Sequence, residues 1–233
     1  MDQKRIIDEF KELVSIEVHS RDERSIADVL KEKLTALGLT VTEDKAGEVL
    51  GGNTGNLYAQ LPGSTDGEPV LFSAHMDRVG NHGHIVPLVK EEEGKIVSDG
   101  TSILAGDDIG GVAAILAMLR EVKEKQIPHG PIEVAFSVCE ETGVEGSRQY
   151  DFSKFRSKSA FVYDASGKAG TIVLAAPSKG RVTIRVHGVT AHAGNEPEKG
   201  LNALKVAADL IMQLPDGRLS PVSTANFSII EAG

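Results

Sequence analysis

The 233-residue sequence has a single cysteine, Cys139, so no internal disulfide can form, and the scarcity of thiol fits a reducing cytoplasm. It has no run of about 18 apolar residues, which excludes a transmembrane helix. Basic residues are outnumbered, 25 Lys and Arg against 34 Asp and Glu, and the net charge of −9 argues against nucleic acid or an anionic membrane as a partner. The opening Met1-Asp2-Gln3-Lys4-Arg5-Ile6 lacks the apolar core of a signal peptide and reads as the start of an amphipathic helix. Internal repeats and low-complexity tracts are also missing. What is left is a globular profile, 40% hydrophobic with 25 glycines, long enough for one large domain or one and a half.

The most informative stretch is Ser137-Val138-Cys139-Glu140-Glu141-Thr142-Gly143, at the end of a β-branched, apolar run from Ile132. Adjacent strand residues point to opposite faces, so two neighbouring carboxylates share a site only where the strand has run out and the backbone turns. Two uncompensated carboxylates there would repel and raise at least one pKa. A divalent cation removes the conflict, with one carboxylate on the metal and its neighbour free to move a proton. Taken alone, Glu-Glu equally suits a solvated acidic loop. Cys139 between them and the strand reads as a structural strand residue.

The chain opens with two helices. Ile6, Ile7, Phe10, Leu13 and Val14 recur at helical spacing, and Ser20-Arg21-Asp22-Glu23 reads as a capping box before Ile26, Val29, Leu30, Leu34 and Leu37. Strands are expected over 39–42 and 56–61, with a glycine-rich loop over 47–55 between them. Pro69 to Ala74 is a buried strand that delivers His75-Met76-Asp77. One intervening residue lets His75 and Asp77 project the same way, an imidazole for a metal and a carboxylate for its other ring nitrogen. A hairpin follows, and His82 and His84 beside it have no carboxylate at a fixed offset and read as ordinary surface residues.

Asp107-Asp108 precedes a helix from Ile109 to Arg120, where it serves either as an N-terminal cap or as a carboxylate bridging two cations. A third apolar strand, Ala160 to Tyr163, ends in Asp164. In open α/β sheets ligands bind beyond the carboxyl ends of the strands, so these acids and His75 converge as a metal-site constellation. Oxygen and nitrogen ligands without thiolate suit zinc, cobalt or manganese. Beyond Ser178-Lys179-Gly180, Arg181 to His187 alternates like a strand with one solvated side. A polar loop holds His192, residues 201–214 read as a helix, and 227–230 as another strand.

Taken in order, His75-x-Asp77, Gly106-Asp107-Asp108, Glu140-Glu141-Thr142-Gly143 and Tyr163-Asp164-Ala165 resemble the co-catalytic zinc aminoacylase/carboxypeptidase family. Within it, Ser98-Asp99-Gly100-Thr101 and Gly188-Val189-Thr190-Ala191-His192-Ala193-Gly194 are most similar to the peptidase T group. The resemblance runs from about Phe10 to the last residue. It implies an α/β fold: a mixed-sheet zinc-peptidase catalytic domain over residues 1–177 with helices on both faces, then the first half of a small α+β, ferredoxin-like lid or dimerisation domain over 178–233.

The same resemblance implies two divalent metal ions, zinc first. His75 and Asp164 would hold one, Glu141 the other, and Asp107 would bridge them through a cis peptide to Asp108. Asp77 would orient His75, Glu140 would be the general base, and His192 would be the lid histidine that meets the substrate carbonyl oxygen. Two departures stand out. Ile109 takes the place of a usual basic residue, and neither His129 nor His187 suits the late histidine expected on the second metal, so the sequence reads as incomplete. The expected activity is cytoplasmic hydrolysis of short peptides as a tripeptide aminopeptidase, in a protein able to form a homodimer through the lid. A deacylase, carboxypeptidase or dipeptidase of the same family, and a non-catalytic metal-binding fragment, remain open alternatives.

Overall fold

The computed structural model describes residues 2–80, 83–168, 170–176 and 178–232. The chain divides into two units, Met1–Gly167 and Lys168–Gly233. His82 lies outside the described residues.

In the first unit, α1 (Gln3–Val14) turns Phe10, Leu13 and Val14 inward, and α2 (Arg24–Ala36) buries Ile26, Ala27, Leu30 and Leu34. Both follow the spacing of their apolar residues. The capping box does not form. Glu23 occupies the N-cap of α2 without a side-chain cap bond, and the Ser20 hydroxyl instead donates to Asp77 at 2.6 Å. A tertiary acceptor has taken the hydroxyl in place of the local amide donor. After β1 (Thr40–Glu43), the stretch read as a loop contains a helical turn, α3 (Ala46–Leu50), closed by left-handed Gly51.

The sheet is completed by β2 (Leu57–Leu61), β3 (Val70–His75), β6 (Ile132–Ser137) and β7 (Ala160–Val162), in the order β1-β2-β6-β3-β7. A separate hairpin, β4 (Pro87–Lys90) with β5 (Lys95–Ser98), lies between β3 and α4 (Gly106–Glu124) in sequence. The sheet is mixed: β1, β2 and β6 pair antiparallel, whereas β3 runs parallel to both β6 and β7. Every residue of β6 is buried, as a central strand covered on both faces requires. α4 packs on β3 and α1, and α2 lies against β1 and β2. At Asp107 and Asp108 the backbone is not helical, so regular helix begins at Ile109, and the peptide between the two aspartates is cis. No helix among the described residues is long and apolar enough to cross a membrane.

One buried acid in β6 matters to the far edge of the sheet. Glu133 accepts from the Tyr58 hydroxyl at 2.9 Å, from the Ser157 hydroxyl at 2.6 Å and from the amides of Arg156 and Ser157. It thereby fixes the segment that feeds β7, whose Phe161 stacks on Phe72 of β3. Cys139 is not in the strand. It sits two residues past the end of β6 in the left-handed region, at φ 51°, because the chain has already begun to turn there.

The second unit contains α5 (Ala203–Gln213) and a hairpin of β8 (Gly217–Ser220) with β9 (Ser223–Ala225). Asn202 caps α5 by accepting from the Lys205 amide. The alternating segment 181–187 and the apolar segment 227–230 form no strand. Alternation makes a strand only when a neighbour supplies the ladder, and among the described residues none pairs with either.

Glu133 also yields a stability prediction. Burial by itself would raise its pKa, but the donors from Ser157 and Arg156 more than offset that and hold it below the usual carboxylate value. A lowered folded-state pKa contributes stability above the unfolded value, and that stability is lost as pH falls. Glu133→Gln is expected to cost about 2 kcal/mol near pH 7 in urea unfolding, the scale of a charged hydrogen bond. The difference from the parent chain should shrink as pH falls below about 4.

Candidate metal centre

The carboxyl ends of the parallel strands β3, β6 and β7 face the same way, and an ionisable residue lies at or within three residues of each end. β3 ends on His75, the turn after β6 carries Glu140 and Glu141, and Asp164 follows two residues after β7. The start of α4 adds Asp107 and Asp108. The structure brings these side chains together. Ligand atoms of His75, Asp107 and Glu141 lie within 4.8 Å of one another, and so do those of His75, Glu140 and Asp164. His75 is the histidine of both groups, which rest on the described residues.

The His75 ring is buried and held at both nitrogens. Its Nε2 is 3.0 Å from Asp107 Oδ1 and 4.0 Å from Glu140 Oε2. Its Nδ1 is 2.9 Å from the main-chain carbonyl of Asp77 and 3.4 Å from the Asp77 carboxylate. Asp77 therefore orients the ring chiefly through its backbone. Its carboxylate is directed elsewhere: Oδ1 accepts from the Glu140 amide at 2.9 Å, and Oδ2 accepts from the Glu141 amide at 3.2 Å and the Ser20 hydroxyl at 2.6 Å. Asp108, also buried, accepts from the His75 amide at 3.1 Å. Asp107, by contrast, has 69% of its side chain exposed while its Oδ1 stays on His75.

The titration of these groups follows from crowding. Burial alone would lower the His75 imidazole, but Asp77, Asp108 and Asp107 around it push it up to about 10. Burial raises Asp108 to about 8, against the pull of His75. Glu140 is raised by burial and by Asp164, Asp77 and Asp107, Glu141 by burial and by Asp107 and Glu140, and Asp164 by burial and by Asp107. Asp77 moves the other way despite its burial, because His75, Ser20 and the Glu140 amide all stabilise its charge. Carboxylates raised together around one imidazole form a site short of positive charge, which is what a divalent cation supplies. The donor set, oxygens with one imidazole nitrogen, fits zinc, cobalt or manganese.

Three residues stand apart from this cluster. Cys139 is buried, and burial with Glu23 nearby pushes its thiol up to about 12, so it stays protonated. His84 is exposed and belongs to neither ligand group. His192 is an exposed residue of the second unit, where its Nδ1 accepts the amides of Gly194 and Asn195 at 3.1 Å each.

The sequence profile of Peptidase family M28 matches residues 56–194, a span that contains the whole cluster. The chain belongs to this peptidase family. A second profile, the peptidase dimerisation domain, matches residues 177–233. Among curated proteins, the chain is similar to the uncharacterized protein YqjE of Bacillus subtilis, 38% identical over 233 residues, covering 100% of this chain and 62% of that one. Among solved structures, it is similar to a tripeptidase from Staphylococcus aureus at TM-score 0.87 and 34% identity, covering 100% of this chain and 62% of that one. It is also similar to the aminopeptidase PepT of Bacillus cereus at TM-score 0.79 and 40% identity, covering 95% and 59%. The chain thus spans about three fifths of the length of these relatives. The likeness places it with the peptidase T-like metallopeptidases, in which a divalent cation is implied.

What keeps the cluster tight on the α4 side is the absence of a side chain at Gly111. A Cβ built there would lie 2.3 Å from Asp108 Oδ1 and 2.7 Å from Tyr163 Cβ, closer than real contacts allow. Gly111→Ala must push Asp108 off the His75 amide or shift Tyr163 and with it Asp164. It is expected to weaken zinc binding about 10–100-fold, the range seen when a partner behind a metal ligand is lost. Calorimetric zinc titration of both chains checks this, with a melting curve to show that the fold survives.

Proposed function

We propose that this chain carries the hydrolytic centre of a metal-dependent aminopeptidase that acts on short peptides, tripeptides first. One observation supports this reading above the others. Glu140, which shares its turn with Glu141, stands 4.0 Å from the imidazole of His75 with 26% of its side chain open. In this reading His75 and Asp164 would hold one divalent cation, Glu141 would hold a second, and Asp107 would be shared between them. Zinc is the favoured ion, with cobalt or manganese as substitutes. Two such ions, when bound, polarise the scissile carbonyl and make the attacking water more acidic.

The chain's own residues do the rest. Glu140 takes a proton from the attacking water and later gives it to the leaving amine. Burial and the neighbouring acids raise its pKa, the direction that favours a group able to return the proton it takes. Asp77 stays charged and keeps the Glu140 and Glu141 amides in place, so neither carboxylate swings away from the site. His192 would donate to the carbonyl oxygen as negative charge develops on it. In the neutral ring, the two amides on its Nδ1 leave the proton on Nε2, the tautomer such a donor needs. Residues 178–233 would form the lid that carries His192 and the surface through which two copies pair, in line with the dimerisation-domain match.

Two experiments in the native protein test these roles. Glu140→Ala should keep its metal content and lose kcat by at least about 10²–10⁴-fold, the contribution of proton transfer, whereas Glu141→Ala should lose metal. Elemental analysis beside a tripeptide assay separates the two, and loss of all metal from the Glu140 variant would refute the division of labour. His192→Ala should leave metal content unchanged and lower kcat about 10²–10³-fold, as removal of one oxyanion donor does. A change confined to KM would count against that role.

A further inference from the structure

The turn that presents Glu140 and Glu141 is held from behind by Asp77 and by two side chains, Asn56 and Glu23, that none of the site motifs contains. Its four successive amides all donate to side-chain oxygens: Val138 to Asn56 Oδ1 at 3.0 Å, Cys139 to Glu23 Oε1 at 3.0 Å, and Glu140 and Glu141 to the two oxygens of Asp77. Asn56 also donates to the Gly146 carbonyl at 2.9 Å, so it grips the turn at both ends. Glu23 is the member that acts at the sharpest point. Cys139, whose amide it accepts, has a left-handed backbone at φ 51°, which a residue with a Cβ adopts only where its surroundings hold it. Glu140 leaves the chain directly from that residue.

We propose that Glu23 is a positioning residue for the hydrolytic centre: by accepting the Cys139 amide it holds the left-handed turn from which Glu140 and Glu141 reach the site. The burial of Glu23 is complete, and its Oε1 serves a second amide, that of Arg21 at 3.0 Å. The same oxygen lies 3.6 Å from the Cys139 sulfur. Its other oxygen, Oε2, is buried with no hydrogen-bond partner among the described residues. A surface cap would expose such an atom to water. Here the carboxyl is kept in the interior, and what it gains there is the Arg21 and Cys139 amides, which join the 19–23 loop to the metal-binding turn. Burial raises its pKa, and the amides of Arg21 and Cys139 pull it back down.

The inference rests on the reading of Glu140 as general base, and the test keeps the two apart. Three variants of the native protein separate acceptor geometry from charge. Glu23→Gln keeps Oε1 and places its amide nitrogen where Oε2 has no bond to lose, Glu23→Asp keeps a carboxyl but withdraws the oxygen, and Glu23→Ala removes both. Backbone amide exchange of the metal-free protein reads the turn directly, without activity. In Glu23→Ala and Glu23→Asp the Cys139 amide should exchange on the order of tenfold faster, with core amides such as Leu30 and Phe136 unchanged, and in Glu23→Gln it should stay protected. With zinc and trialanine, the Ala and Asp variants should lose kcat by roughly 10²-fold at constant KM, the cost of misplacing a reacting group by about 1 Å, and Gln should recover most of it.

An unchanged Cys139 exchange rate in Glu23→Ala overturns the proposal. So does exchange that rises equally throughout the core, or a kcat loss that Gln shares with Ala. If Glu23→Ala fails to fold, the contrast between Gln and Asp decides by the same two readouts. An active Glu140→Ala control would refute the general-base reading by itself, while the exchange result would still show whether Glu23 holds the turn.

Discussion

Everything about this site follows from packing more carboxylates around one imidazole than their mutual repulsion allows. Like charges about 4 Å apart cost about 4 kcal/mol at the effective dielectric of a protein surface. Each acid must therefore find donors, take up a proton or share a cation. Asp77 takes the first course, with the Ser20 hydroxyl and two amides on its oxygens, and its pKa falls despite its burial. Asp108 takes the second, raised to about 8 with the single amide of His75 to compensate it. Glu140, Glu141 and Asp164 are raised by burial first and then by one another and the neighbouring acids. For them the third course, a shared cation, relieves the crowding.

The fold meets this constraint with backbone and not with arginine or lysine. Parallel pairing of β6, β3 and β7 directs three strand ends to one place, so residues far apart in sequence converge without long side chains reaching across. The supporting contacts sit one layer back. Glu133 fixes the entry to β7, Gly111 lets α4 come up against Tyr163, and Asn56, Glu23 and Asp77 hold the turn after β6. A lysine placed among the acids would neutralise them and compete with the cation. Amide donors stabilise charge where it is needed and leave the open carboxylates available.

How much of this was legible in the sequence depended on whether the cause was local. The strands that end at His75, near Glu140 and before Asp164, and the helix after Asp107-Asp108, could be read because apolar runs and their breaks are written in consecutive residues. The cluster could be read because residues at strand ends share one edge of a parallel arrangement. The supporting residues could not. Ser20 and Glu23 present a local capping pattern that is indistinguishable from the real one until Asp77 and Cys139 arrive from elsewhere in the chain as partners. Glu133 sits inside an apolar strand, and its partners at Ser157 and Tyr58 are fixed only by tertiary structure. The preference of His75 Nδ1 for the Asp77 carbonyl over its carboxylate is a difference of half an ångström. No spacing rule resolves that.

The second unit shows the opposite limit. The alternation over 181–187 is as clear as any in the chain, yet no ladder forms there, and Val182 is 83% exposed. Helix α5 forms inside the 201–214 stretch read as helical, since a helix satisfies its amides within itself. A strand must borrow its hydrogen bonds from a neighbour, so its formation depends on residues that its own sequence does not contain. The β8–β9 hairpin forms because a two-residue connection supplies that neighbour at once. The loop of His192 follows the helical logic: its amides at Gly194 and Asn195 turn back onto the ring that precedes them, and this local closure leaves the proton of the neutral ring on Nε2.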